Sequence, residues 1–327
     1  MIKRSQAAGH FVRLLDRRIE QLGKSMQNIF ACLLVFVTLG FSWNTFAEVS
    51  RHIVIITSSD SSYQKQTAAG IQQNINSKDT RAIIISADDI SLLPFYSRTV
   101  YIAIGELAIK ALNDFDNDAI VLRLNNRLLP DVKYTSTQSD LITRPPACKH
   151  LQLIKAINPK WTTVGVLSSI NSLDTTAELS KCAIRFDFDL QIYAISDESD
   201  LQKTLETAVE YNKVLLATVD PLIYNSRTVK NILLTSYRHR KPVIGYSESF
   251  VQAGAVAAIY TPPETVADDA ARIISEFFAN NWQFKRNTHS PSSFSVTTNT
   301  QVASSLEITL PDTATILRRI KQMDIRR

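Results

Sequence analysis

Asp220 stands just past the apolar run Val214 to Thr218. A carboxylate at the carboxyl end of a buried strand is placed either to accept a hydrogen bond from a ligand's ammonium group or to turn and cap the next helix. On the first reading, Asp220→Ala weakens binding more than folding. Ser58, Ser59 and Ser62 follow another apolar run, His52 to Thr57, and precede a helical pattern. Hydroxyls and backbone N–H groups at a helix start can hold an anionic group or serve only as caps. Tyr63, Tyr224 and Tyr246 each lie close to a strand end, where an aromatic face can stack on a flat or cationic group or pack into a hinge. Gly105 and Glu106 follow the run TVYIAI, and Asn171, Thr218 and Glu248 take equivalent places after other apolar runs.

Catalytic signatures are missing. His52, His150, His239 and His289 are scattered, with neither H-E-x-x-H spacing nor a G-x-S-x-G elbow. The eight glycines are too far apart for a dinucleotide fingerprint or a phosphate-binding loop. The residues thus point to recognition of a small molecule, with no cofactor and no metal.

The elements that must position these residues alternate between strand and helix. Strands are predicted at 52–57, 81–86, 99–104 and 119–122, with helices over 63–75 and from Gly105 through Leu112. Short continuous apolar runs suit strands buried on both faces, and helices between them imply right-handed crossovers in a parallel sheet. Residues 124–146, with Pro130, Pro145 and Pro146, read as a crossing between lobes. The pattern then restarts. Helices are expected over 148–157, 173–186, 200–211 and 226–238, strands at 162–167, 190–194, 214–218 and 243–246. A short strand at 255–260, a helix over 264–279 and a strand at 294–297 follow. The predicted fold is α/β: two doubly wound parallel-sheet lobes joined by a hinge. Lobe 1 covers 48–140 and is completed by about 258–285; lobe 2 covers 141–257 and is completed by about 290–327. In open sheets of this kind ligands sit outside the carboxyl ends of the strands. The loops 58–63, 105–106, 123–126, 168–171, 218–224 and 246–250 are therefore the ones to face a cleft.

The formal charge of +5 is concentrated at the start of the chain. Residues 1–47 carry six basic and two acidic residues, whereas the remainder carries 30 basic and 29 acidic. No basic face is implied for the body, so nucleic-acid binding loses its main electrostatic support. Ile29 to Phe41 is an apolar run of 13 residues, short of the roughly 20 needed to span a bilayer. With basic residues upstream and Thr45-Phe46-Ala47 after it, residues 1–47 read as a signal peptide cleaved after Ala47, with a periplasmic product. An uncleaved inner-membrane anchor is the alternative, and Met26 is a second candidate start. Cys32 sits at the beginning of the apolar run, where a lipoprotein cysteine would not be. Cys148 and Cys182 are the cysteines beyond residue 47. In an oxidising compartment, on helices flanking one strand, they are expected to pair as a disulfide; two small buried hydrophobes on separate helix faces are the alternative.

From about Cys148 onward the chain resembles the ABC-transporter substrate-binding proteins with a type I periplasmic-binding fold, in the branch that includes proteins assigned as tryptophan and tyrosine binders. The stretches that carry the likeness are LQLIKAINPKWTTVGVL, Lys241-Pro242-Val243-Ile244, SESFVQAGAVAAI with Gly254, TPPETVADDAARIISEFF, and Thr298 to Ala303 ahead of Leu310-Pro311. In the first lobe TVYIAIGELAIKAL is similar. Asp220 and Asn171 match polar positions of the family. The resemblance implies a monomeric periplasmic solute-binding protein, not an enzyme, that closes two lobes on a small, amino-acid-like ligand and hands it to an ABC permease.

Three departures stand out. LNNRLLPDVKYTSTQSDLITR lacks the family's Asp-Pro turn and glycines. Glu106 replaces a small hydroxyl residue, and would repel a ligand carboxylate. Val266-Ala267-Asp268 replaces a glycine-containing stretch. They leave open a sensory or accessory binding module with an altered or lost pocket and no transport role.

Overall fold

A computed structural model describes residues 51–59, 61–77, 79–92, 99–116, 118–127 and 134–325. The apolar run, both candidate starts and the proposed cleavage site lie outside these residues. Within them, no helix is long and apolar enough to cross a membrane.

The first sheet has the order β2 (Thr80–Ser86), β1 (Arg51–Thr57), β3 (Thr99–Ile104), β4 (Ile120–Asn125), β5 (Gln138–Ile142), β11 (Thr288–His289), and all its pairings are parallel. The second runs β7 (Asp189–Ala194), β6 (Thr163–Ser168), β8 (Val214–Leu216), β9 (Val243–Gly245), β10 (Ala257–Tyr260), β12 (Ser295–Thr298), with only β12 antiparallel. Ile53 to Ile56 and all of β3 are buried, which is why their sequences read as unbroken apolar runs.

Both faces of each sheet are covered. On the first, α1 (Ser62–Ile75) and α8 (Pro263–Ala279) share one core with Ile53, Ile55 and Ile102, while α2 (Glu106–Phe115) packs Ala108, Ile109 and Leu112 against Val54 and Ile56 on the other face. The α1–α8 crossing is tight: a Cβ on Gly70 would lie 2.8 Å from the Ala267 Cβ. On the second sheet, α3 (Cys148–Ile157), α4 (Leu173–Phe186) and α10 (Thr313–Ile325) cover one face. The opposite face carries α5 (Leu201–Tyr211), α6 (Val229–Arg238) and α7 (Glu248–Ala253). A six-residue helix, α9 (Thr300–Ser305), begins at Asn299, whose side chain accepts from the Val302 N–H. Cys148 opens α3 and is disulfide-bonded to Cys182 in α4, with Cα atoms 5.2 Å apart.

The chain passes between the sheets three times, at 143–147, 261–262 and 290–294. The segment 124–146 is thus not all crossing. β4 continues to Asn125, and β5 occupies 138–142 inside the first sheet. Its pattern is polar because Asp140, 1% exposed, receives Arg123 Nε at 2.6 Å from the neighbouring strand and Tyr134 OH at 2.5 Å. A buried ion pair replaces the apolar signature by which a strand is recognised. β11 is only two residues long and equally polar.

Candidate functional site

A cleft of about 340 Å³ lies at the carboxyl ends of both sheets. Tyr63, Gln64, Thr67, Gly105, Glu106, Asn125, Asn126 and Arg127 line it from the first lobe; Asn171, Thr175, Val219, Asp220, Tyr224 and Tyr246 face them from the second. The size and position suit a small organic ligand.

The first wall is set by Gly105. Its φ of 88° and the Ser58 Oγ, 2.7 Å from where a Cβ would stand, exclude other residues. Ser58 Oγ donates to the Ile104 carbonyl and accepts from the Ala108 N–H, each at 2.8 Å. Gln64 Oε1 accepts from the Ser58 and Ser59 N–H groups, both at 3.0 Å. These donors are therefore consumed inside the loop, and the anion-holding role expected of the serines is corrected: Ser58 fixes the Gly105 turn, while Ser59 and Ser62 are exposed and outside the cleft lining. Glu106 does face the cleft, but with Arg127 Nη2 2.9 Å from its carboxylate. The cation offsets the repulsion expected from Glu106 alone.

The second wall is organised by Asp220. It lines the cleft yet is only 1% exposed. Its carboxylate accepts from Ser169 N (2.9 Å), Ser169 Oγ (2.9 Å), Ser172 Oγ (2.7 Å) and Leu222 N (3.2 Å). Such a network joins the loop after β6 to the loop after β8. Against the expectation that losing Asp220 harms binding more than folding, these four bonds give the carboxylate a role in holding the two loops together. Asn171, exposed at the rim, donates its N–H to Ser169 Oγ.

The tyrosines divide. Tyr224, Tyr246 and Phe250 form an aromatic cluster with centroid separations of 6.2, 5.6 and 5.2 Å. Burial, then Tyr246 and Asp220, push the Tyr224 phenol upward; burial and Asp220 push Tyr246 to about 12. Tyr63 is also raised, by burial and then Glu264, and its OH donates to the Thr261 carbonyl in the second crossing. All three phenols stay neutral donors near neutral pH. Glu248 is corrected: it sits in the first turn of α7, away from the cleft lining, and accepts from Tyr260 OH at 3.4 Å.

Sequence reasoning missed Gln64 and Thr175, which sit in helices, and Arg127, one residue past an inspected loop. Thr143 was hidden with β5. His150 was also passed over. It is 5% exposed and lines a side chamber of the cleft with Thr218. Burial first, and Arg144 second, lower its pKa from 6.5 to about 3. Since unfolded His150 takes a proton below about pH 6.5 and folded His150 does not, acidification favours unfolding. Urea titrations at pH 7 and pH 5 should show a stability loss of about 2 kcal/mol from this residue. His150→Phe should lack that part of the pH dependence. An unchanged pH dependence in the variant would show that folded His150 titrates normally.

Among the described residues, no group of three His, Cys, Asp or Glu side chains is set to hold a metal ion. Residues 138–321, more than half of the chain, match the family model for ABC transporter substrate binding proteins. The chain belongs to this family.

A comparison with curated protein sequences gives no match. Solved structures share the substrate-binding fold at 15% identity. A conserved domain protein from Vibrio cholerae aligns over 83% of this chain and 98% of its own, with a TM-score of 0.63. An ABC domain in complex with L-Trp from Streptococcus pneumoniae covers the same shares at 0.62. A ligand-free, open substrate-binding protein with adhesive properties from Clostridium difficile covers 81% and 97% at 0.66. Proteins of this substrate-binding family generally work outside the cytoplasm and alongside ABC transporters.

Proposed function

We propose that this protein is a periplasmic solute-binding protein, exported by its N-terminal signal, that closes two lobes on a small organic molecule for an ABC importer. The observation that carries the reading is the 340 Å³ cleft, lined from both lobes at the strand ends. A ligand touching both walls makes more contacts in the closed state, and that difference drives closure. Asn125, Asn126, Thr143 and Asn171 offer polar contacts, with Tyr63 and Tyr246 as flat surfaces. The rim pair Glu106–Arg127 can rearrange to meet either sign of ligand charge, because exposed pairs of this kind contribute at most about 1 kcal/mol.

The test is a thermal-shift and calorimetry screen of amino acids and other small metabolites, with small-angle scattering on each hit. A true solute at 100 times its dissociation constant adds about 2.7 kcal/mol of stability, and the scattering should show a more compact particle. A panel of metabolites that neither stabilises nor compacts the protein would overturn the solute-binding reading. A compacting solute without association with any permease would remove the importer and leave a sensory module.

A further inference from the structure

The first crossing between the lobes has its pivot at Arg144. Thr143 still belongs to the first lobe: its N–H donates to the Asn125 carbonyl at 2.8 Å, and its Oγ1 to Asn126 Oδ1 at 2.7 Å. From Pro146 onward the chain belongs to the second, since the Lys149 N–H donates to the Pro146 carbonyl at 2.9 Å as α3 begins. Between them stand Arg144 and Pro145. The ring of Pro145 fixes its own φ and keeps Arg144 out of the helical region, so few backbone angles are left to turn.

The Arg144 side chain spans the pivot on which it sits. Nε donates to the Asn126 carbonyl of the first lobe at 2.7 Å, and Nη2 to Glu178 in α4 of the second at 2.8 Å; Nη1 donates to the Pro145 carbonyl at 3.3 Å. Both ends lead to the cleft. Asn126 lines its first wall, and Thr175, one turn before Glu178 in α4, lines its second. The other two crossings are held by side chains of the first lobe: Tyr63 OH donates to the Thr261 carbonyl, and Asp269 accepts from the Ser292 N–H.

This arrangement serves geometry more than stability. The guanidinium is 11% exposed, and its planar fork holds three acceptors in fixed directions, which a lysine ammonium cannot do. Glu178 is 40% exposed, so the ion pair adds little to the fold. The end in the second lobe is anchored, because Cys182, four residues past Glu178, is bonded to Cys148, four past Arg144. Helix α4 therefore cannot drift from the crossing, and the contact that must give when the lobes move is Nε to Asn126.

We propose that Arg144 is a positioning residue for solute binding, a clasp at the pivot that holds Asn126 and α4 in one arrangement and so sets the resting separation of the two cleft walls. It rests on the reading that two lobes close on a solute, but its test needs no solute.

The test is a pulsed electron-resonance measurement of the distance between spin labels at Gln73→Cys in α1 and Lys203→Cys in α5, both exposed and outside the cleft lining. The wild-type background should give one narrow distribution. Arg144→Gln should broaden it, lowering the ratio of the wild-type separation to all others about fivefold. Glu178→Ala, at a half-exposed position that folding tolerates, should broaden it likewise, and Arg144→Lys should not restore it. Arg227→Gln, which breaks the ion pair with Glu198 inside the second lobe, should leave the distribution as it was. Unchanged distributions in Arg144→Gln and Glu178→Ala would overturn the proposal, as would full rescue by lysine or equal broadening in Arg227→Gln. Broadening with no hit in the metabolite screen would keep the clasp and remove the solute reading; hits with an unchanged distribution in Arg144→Gln would do the reverse.

Discussion

Replacing Asp220 with alanine should cost about 3–5 kcal/mol of stability, with solute binding lost as a consequence of loosened loops. The carboxylate receives four donors from Ser169, Ser172 and Leu222 while almost fully buried. Hydrogen bonds to a charged acceptor contribute about 1.5–3 kcal/mol each, and four donors lose their acceptor at once. The effects do not add, hence an expectation below the sum. Asp220→Asn should fall between, since the amide keeps one acceptor but points an N–H group at donors. Ser169→Ala should cost less than either. Urea unfolding gives the stabilities, and hydrogen exchange at the Ser169 amide reports the loop directly. If Asp220→Ala folds with wild-type stability and only binding is lost, the carboxylate serves the ligand and the network described for it is dispensable.

The second large effect is expected from the disulfide. Cys148 and Cys182 close a loop of 34 residues by sequence separation. Constraining such a loop in the unfolded chain stabilises the fold by about 3–4 kcal/mol on the chain-entropy account. A Cys148→Ala, Cys182→Ala double variant, or the reduced wild type, should lose that amount in urea. The loss should appear chiefly as faster unfolding of the second lobe, whose α3 and α4 the bond joins. Mass spectrometry after alkylation without reductant should find no free thiol in residues 48–327. Two alkylated cysteines there, or a double variant as stable as wild type, would contradict this.

The two-sheet architecture was legible because most strands are buried on both faces and therefore apolar throughout. β5 was not, since Asp140 and Arg123 satisfy each other inside the sheet and leave no apolar run to read. The start of the family match at residue 138 coincides with the beginning of that strand. For the candidate site, the rule that ligands gather at strand ends picked out loops that line the cleft. It did not say which side chains were free. Ser58 and Asp220 have the right types in the right loops, yet the fold itself uses their polar atoms. Glu248 stands in the first turn of α7 and is not among the residues that line the cleft. Conversely, Gln64 and Thr175 enter the cleft from helices, and His150 gains its interest only from the absence of a partner, which no sequence pattern encodes.

The three passages between sheets also govern when the protein can be finished during synthesis. The first core needs Val266 to Phe277 from α8, and the second needs Val296, Ile316 and Ile320. The first lobe cannot be sealed before α8 is made, nor the second before α10, so the usual order, in which an N-terminal domain folds long before the rest is made, is delayed in this chain. Both lobes of a molecule built this way close late, when elements from the C-terminal part of the chain become available.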